Sequence, residues 1–101
     1  MKNLRHIVLL SFYDVCTPAE IKLVEDGLDA LPSKIPTIKG YERGINNSPE
    51  KVNNGLTHCY FLTFYSEKDR DEYLTDPAHL AFKSVMKPYV RDLLVVDYWA
   101  K

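Results

Sequence analysis

Leu56-Thr57-His58-Cys59-Tyr60-Phe61-Leu62-Thr63-Phe64-Tyr65 is the stretch that decides the fold. It is apolar almost throughout and contains neither glycine nor proline, so it reads as a β-strand. Alternation puts His58, Tyr60, Leu62 and Phe64 on one face and Cys59, Phe61 and Thr63 on the other. Upstream lies a polar loop, Asn46 to Gly55, whose Asn-Asn, Ser-Pro and Asn-Asn-Gly steps are turn signals. Before it, Ile38 to Ile45 reads as another strand, with Gly40 and Gly44 allowing bends. Further upstream, Ile21, Val24, Leu28 and Leu31 recur at helical spacing, with Lys22, Glu25, Asp26 and Asp29 between them. Thr17-Pro18-Ala19-Glu20 opens that helix as a capping box with proline in the first turn, and Pro32 is expected to end it. Leu4 to Tyr13 is the first strand. Its run Ile7-Val8-Leu9-Leu10 makes both faces apolar, with His6, Val8, Leu10 and Phe12 on one of them.

Downstream, Ser66-Glu67-Lys68-Asp69 starts a short helix carrying Tyr73 and Leu74. Asp76-Pro77 caps and starts a second helical piece through Phe82, Val85, Met86 and Tyr89, with Pro88 as its stop. Leu93 to Trp99 is the last strand. The order β-α-β-β-α-β predicts an α+β, ferredoxin-like subunit, residues 1–101 forming a single domain with its helices on one side of an antiparallel sheet. Helices on one side leave the other sheet face bare, although the strands are apolar there too. Phe61 and Tyr98 belong to that bare layer. The economical cover is a second copy packed sheet against sheet, so a homodimer is expected.

The chain has 101 residues, 13 basic and 14 acidic, and a formal charge of −1, which gives no basic stripe for nucleic acid. No apolar run is long enough to span a membrane, and Ile7 to Leu10 is too short for a signal peptide. Cys16 and Cys59 make no disulfide framework and no metal-type Cys-x-x-Cys, so two free thiols in a cytoplasmic protein are expected. Cys59 has the parity of the bare face and reads as a small apolar residue there. A chain this short buries only about 60–65% of its unfolded surface, so doubling it also enlarges a thin core. Seven of its 12 aromatic residues are Tyr, an excess of hydrogen-bonding aromatic surface for such a core.

The residues that could carry chemistry are few. His6 and His58 each stand near the start of a strand on the large-apolar face. With strands one and three taken as adjacent and parallel, the two imidazoles are expected at one end of the sheet, beneath the helices. His79, in the turn after Asp76-Pro77, and Tyr73 would join them. Histidine takes and gives protons near neutral pH, and a tyrosine can donate to a developing oxyanion. A helix N-terminus beside His79 would favour its neutral form. On a half-apolar strand each histidine could equally be a satisfied core residue, and Tyr73 a rim aromatic; only the convergence raises the functional reading. Three histidines could also bind zinc, but no close-spaced ligand pair is present. Lys83 and Lys87 share a helix face, an arrangement usual for solvated surface.

Leu4-Arg5-His6-Ile7-Val8-Leu9-Leu10-Ser11-Phe12, Thr57 to Phe64, Tyr73-Leu74-Thr75-Asp76-Pro77-Ala78-His79-Leu80-Ala81-Phe82 and Leu93 to Tyr98 together resemble the stress-responsive dimeric alpha/beta-barrel (Dabb) family over nearly the whole chain. The resemblance implies a ferredoxin-like subunit that dimerises through its sheets into a barrel. The best-understood activity in that family is a plant polyketide cyclase's intramolecular aldol closure, in which the histidine and tyrosine matching His79 and Tyr73 form the acid/base pair. The expected function is therefore cofactor-free acid/base chemistry beside a carbonyl, with His79, Tyr73 and His58 catalytic and His6, Leu28, Tyr60 and Phe82 binding a small apolar or carbonyl-containing molecule. The cyclase's first helix lines its pocket with aromatics, whereas this chain has Glu25, Gly27 and Leu28 there, so the substrate is not expected to carry over. The alternative is a non-catalytic dimer that binds a small apolar or acidic metabolite in the same pocket, with the histidines as polar anchors, or an interaction protein with no pocket.

Overall fold

The computed structural model describes residues 2–101. Strand β1 (Leu4–Phe12) leads through Thr17 to helix α1 (Pro18–Asp29), then to a single turn, α2 (Leu31–Lys34). Thr17 Oγ1 accepts from the Glu20 amide and Glu20 accepts from the Thr17 amide, which completes the capping box. Pro32 does not end α1 as expected. Ala30 closes α1, and Pro32 falls in the first turn of α2, where a missing amide proton costs nothing. Strand β2 (Gly40–Ile45), strand β3 (His58–Phe64), helix α3 (Glu67–Thr75), helix α4 (Pro77–Met86) and strand β4 (Val90–Trp99) follow. Asp76 ends α3 and caps α4 through its carboxylate and the Ala78 amide, so the two helices meet at a single residue.

The sheet order is β2-β3-β1-β4, and every neighbouring pair is antiparallel. This is the ferredoxin-like α+β fold. The expectation that strands one and three run parallel is overturned, for a topological reason. The β1-α1-β2 crossover makes β1 and β2 parallel, and β3 returns from β2 through a loop and inserts between them, opposed to both. In the resulting register His6 faces Leu62, while His58 faces Leu10. The two histidines are therefore four positions apart along the strands, about 13 Å at roughly 3.3 Å per residue.

Alternation sets the faces of β1 and β3; on β4 the pairing with β1 shifts register between Ser11 and Phe12, and the helix-facing Leu93 and Val95 stay as exposed as their neighbours. Leu4, Leu10, Tyr60, Leu62 and Phe64 point toward the helices and pack with Val24, Leu28, Leu31 and Phe82 in one buried core. The other face carries Ile7, Leu9 and Phe61 beside Leu94, Val96 and Tyr98, and the three β4 residues stay 47%, 52% and 42% exposed. Arg5 lies across Phe61 on this face, its guanidinium carbon 5.1 Å from the ring centre. No helix among the described residues is long and apolar enough to cross a membrane.

Candidate active site

Tyr73 sits on the last turn of α3 and His79 on the first turn of α4, joined by the shared cap at Asp76. That tight junction stacks the two rings obliquely, with centroids 4.3 Å apart. Tyr73 also meets His6 edge-on at 5.6 Å and Phe64 at 5.2 Å. His6, Tyr73 and His79 thus share one end of the sheet, as expected. His58 does not join them, because the antiparallel register sends it to the opposite end.

The ring tautomers follow from the acceptors. His79 Nδ1 lies 3.2 Å from the Leu74 carbonyl oxygen, which can only accept, so Nδ1 carries the proton and Nε2 holds a free lone pair. His6 Nδ1 lies 2.7 Å from Asp97 Oδ1 and donates to that carboxylate. Asp97 in turn accepts from Arg70 at 2.8 Å through its second oxygen. The Tyr73 hydroxyl has no hydrogen-bond partner among the described residues, although the side chain is only 2% exposed. Burial, with the Asp97 carboxylate nearby, pushes its phenol far above the ordinary range, so it stays a neutral donor. Burial also lowers the His79 imidazole below its ordinary value. The Leu74 carbonyl opposes that shift, and the charge of Lys83 reinforces it.

These groups open onto a cavity of about 160 Å³ with mainly apolar walls. His6, Leu28, Tyr73, His79 and Phe82 line it, together with Val8, Met86 and Val95. Of the expected binding residues, Tyr60 does not line it; it is a buried core residue. Gly27 shapes one wall, since a Cβ there would lie 2.9 Å from a Phe82 ring carbon. The ring of Phe82 therefore closes against bare helix backbone.

His58 belongs to a separate polar cluster at the far end. Its Nδ1 is 2.7 Å from Thr57 Oγ1, and its Nε2 is 3.8 Å from Glu25 Oε2. Arg43 binds both oxygens of Asp29, at 2.8 and 3.0 Å, and Tyr41 donates to the same carboxylate at 2.6 Å. Arg43 holds the Asp29 carboxyl below its usual range, while burial lowers the His58 imidazole against the pull of Glu25. Among the described residues no group of three or more His, Cys, Asp and Glu side chains could hold a metal ion.

Asp97 and Arg70 were not singled out from sequence. A signal existed: Leu93, Val95, Asp97 and Trp99 alternate onto the helix-facing side of β4, so a carboxylate there stands opposite His6.

The family model described as Stress responsive A/B Barrel Domain matches residues 4–100. The chain is 32% identical over 94 residues to the stress-response A/B barrel domain-containing protein HS1 of Arabidopsis thaliana, covering 93% of this chain and 86% of that one. It is 29% identical to olivetolic acid cyclase of Cannabis sativa, covering 93% of each. Among solved structures, hydroxynitrile lyase from Passiflora edulis superposes with a TM-score of 0.91 at 25% identity, covering 98% of this chain and 94% of that one. A dimeric ferredoxin-like protein of unknown function from Thermobifida fusca superposes at 0.83, also at 25% identity, covering 98% and 92%.

Proposed function

This chain belongs to the stress-responsive A/B barrel domain family, and we propose that it is a homodimer whose pocket performs cofactor-free acid/base chemistry beside a carbonyl group. The observation that carries the reading is the pairing of Tyr73 and His79 on the wall of an apolar cavity, each with its reactive polar atom uncommitted. His79 Nε2 takes a proton from a carbon or hydroxyl next to the carbonyl, and its depressed pKa keeps it neutral and ready at pH 7. Tyr73 donates its hydrogen bond to the oxygen on which negative charge develops. In a dry site one such donor contributes about 10²–10³ in rate. His6, held by Asp97 and Arg70, orients the bound molecule and stands beside Tyr73 as a second acceptor. Leu28 and Phe82 bind its apolar part. His58 lies about 13 Å away along the sheet and takes no part in the step. A cyclase and a hydroxynitrile lyase among the similar proteins support reading the site as an enzyme's.

The dimer completes the fold. The bare face of Ile7, Leu9, Phe61, Leu94, Val96 and Tyr98 needs cover, and a dimeric ferredoxin-like protein among the structural neighbours supports covering it with a second copy. Light scattering after size exclusion should give twice the 11.7 kDa chain mass, and a monomer at micromolar concentration refutes the dimer. For the chemistry, wild type, His79→Ala and Tyr73→Phe are assayed on a panel of small β-dicarbonyl compounds and cyanohydrins. Turnover by wild type that both variants lose by 10²-fold or more supports the assignment; full rate in the variants removes it. Thermal protection by panel members without turnover favours the second reading, a binding protein that uses the same cavity.

A further inference from the structure

The cavity beside His79 does not end at its rim. Lys83, Met86 and Leu93 line it and also line a wider groove of about 590 Å³ between the C-terminal half of α4 and the start of β4. The charged residues of that groove are Lys83, Lys87 and Arg91, and no carboxylate lines it. His79, Lys83 and Lys87 recur every fourth residue, so they stand in a row on one face of α4 and its cap. The row begins at the base and runs outward. Neither lysine has an ion-pair partner among the described residues, and Arg91 meets only its chain neighbour Asp92, at 3.6 Å. Cations in the last turn of a helix also suit its dipole. That accounts for the lysines but not for Arg91, which arrives from β4 on the groove's other wall.

We infer that the molecule taken by this pocket is an anion: a short apolar body in the inner cavity beside Tyr73 and His79, with a carboxylate or phosphate head group held in the outer groove by Lys83, Lys87 and Arg91. The inference rests on the reading of the cavity as a small-molecule site and narrows its substrate class. The inner volume of about 160 Å³ takes roughly five groups of the size of a water molecule, so the body is a chain of four or five carbons or a small ring. A carbonyl in that body lies beside Tyr73, while the head group stays in the open outer groove.

The test is an NMR titration of the full-length protein with pentanoate, pentyl phosphate and methyl pentanoate, followed at the backbone amide and ring of His79. Each partly exposed cation contributes a modest attraction, and three together are worth about a tenfold preference for a charged ligand over the ester at low salt. That preference should shrink as salt rises and fall toward unity in the Lys83→Gln, Lys87→Gln, Arg91→Gln triple variant. The better binder of pentanoate and pentyl phosphate identifies the head group. An ester that binds as well as both anions, or a preference that survives in the triple variant, overturns the anion inference and leaves the pocket reading in place. If none of the three compounds moves His79, the pocket reading falls and the inference falls with it.

Discussion

Replacing Tyr60 with Phe should make this protein more stable. Tyr60 lies in the middle of β3, paired with Val8 and Arg43, and is 1% exposed. Its hydroxyl has no hydrogen-bond partner, and burial pushes the phenol up to about 12. A hydroxyl taken out of water without a partner costs about 1–3 kcal/mol. Deleting one oxygen leaves a small gap of about 10–15 Å³, and at about 24 cal/mol per Å³ that returns only about 0.3 kcal/mol. The net gain is about 1 kcal/mol, which for a domain of this size raises Tm by about 4–8 °C. Tyr41 is the internal control. Its hydroxyl donates to Asp29 at 2.6 Å on a half-buried ring, so Tyr41→Phe should lose about 1 kcal/mol. Both variants and wild type are unfolded in urea at matched protomer concentration, since the proposed dimer would make the midpoint concentration-dependent. The single tryptophan, Trp99, is a convenient reporter, as its indole donates to Glu67 at 3.1 Å. If Tyr60→Phe is less stable than wild type by about 1 kcal/mol or more, the hydroxyl has a partner, and the reasoning fails.

Three other outcomes are expected. Stability should fall as pH drops: burial depresses the imidazoles of His79 and His58, so the unfolded chain binds more protons than the folded one from the ordinary imidazole range downward. Their contribution is complete above pH about 6.5 and is lost as pH falls through the lower folded values. Urea midpoints between pH 5 and 8 check this, and a flat profile contradicts it. Asp97→Asn replaces a carboxylate that His6 and Arg70 share, and should cost about 2 kcal/mol while the His6 ring signals broaden in NMR spectra; an unchanged midpoint would show that the network is incidental. Val96→Asp places a charge in the bare apolar sheet face and should shift the protein toward monomer in light scattering, with its near-native helix content retained; a dimer of undiminished stability would place the interface elsewhere.

Most of the fold could be read from local chemistry. Thr17, Ser66 and Asp76 each accept from a backbone amide at the start of a helix, as their positions before Pro18, Glu67 and Pro77 indicate. The strand faces followed from alternation because β1 and β3 are apolar on both sides and contain no glycine to interrupt the period. What local pattern does not contain is strand direction. His6 and His58 stand at equivalent places in their own strands, and only the path of the chain between β2 and β3 decides that they lie at opposite ends. Pro32 is ambiguous from sequence for a related reason. A proline that cannot continue one helix can start the next, and here α1 has already ended at Asp29, with Ala30 as the cap between the two helices. Asp97 escaped notice because its meaning is a cross-strand one: an acid in β4 is unremarkable until β1 sets His6 against it.

The separation of the histidines changes how the sheet's two ends divide their work. At the β2 side, Arg43 and Tyr41 both bind the Asp29 carboxylate, with Glu25 3.3 Å from Arg43 and 3.8 Å from His58. These contacts hold β2 to α1, an edge that carries few buried apolar residues of its own. At the β4 side the polar atoms are deliberately incomplete. Tyr73 Oη and the Nε2 atoms of His6 and His79 face the cavity or its wall without a partner, while Asp97, Arg70 and the Leu74 carbonyl occupy their other sides. None of the three is a buried unpartnered atom, so they remain open to a molecule in the cavity. Gly27 then limits what that molecule can be. Because it has no side chain, Phe82 from α4 fills the space that a larger residue on α1 would take, and the cavity stays near 160 Å³. A pocket of that size excludes a long chain from the inner site. The size limit is thus set where α1 meets α4, at Gly27 and Phe82, and a change at either residue alters the space beside Tyr73 and His79 without replacing those two side chains.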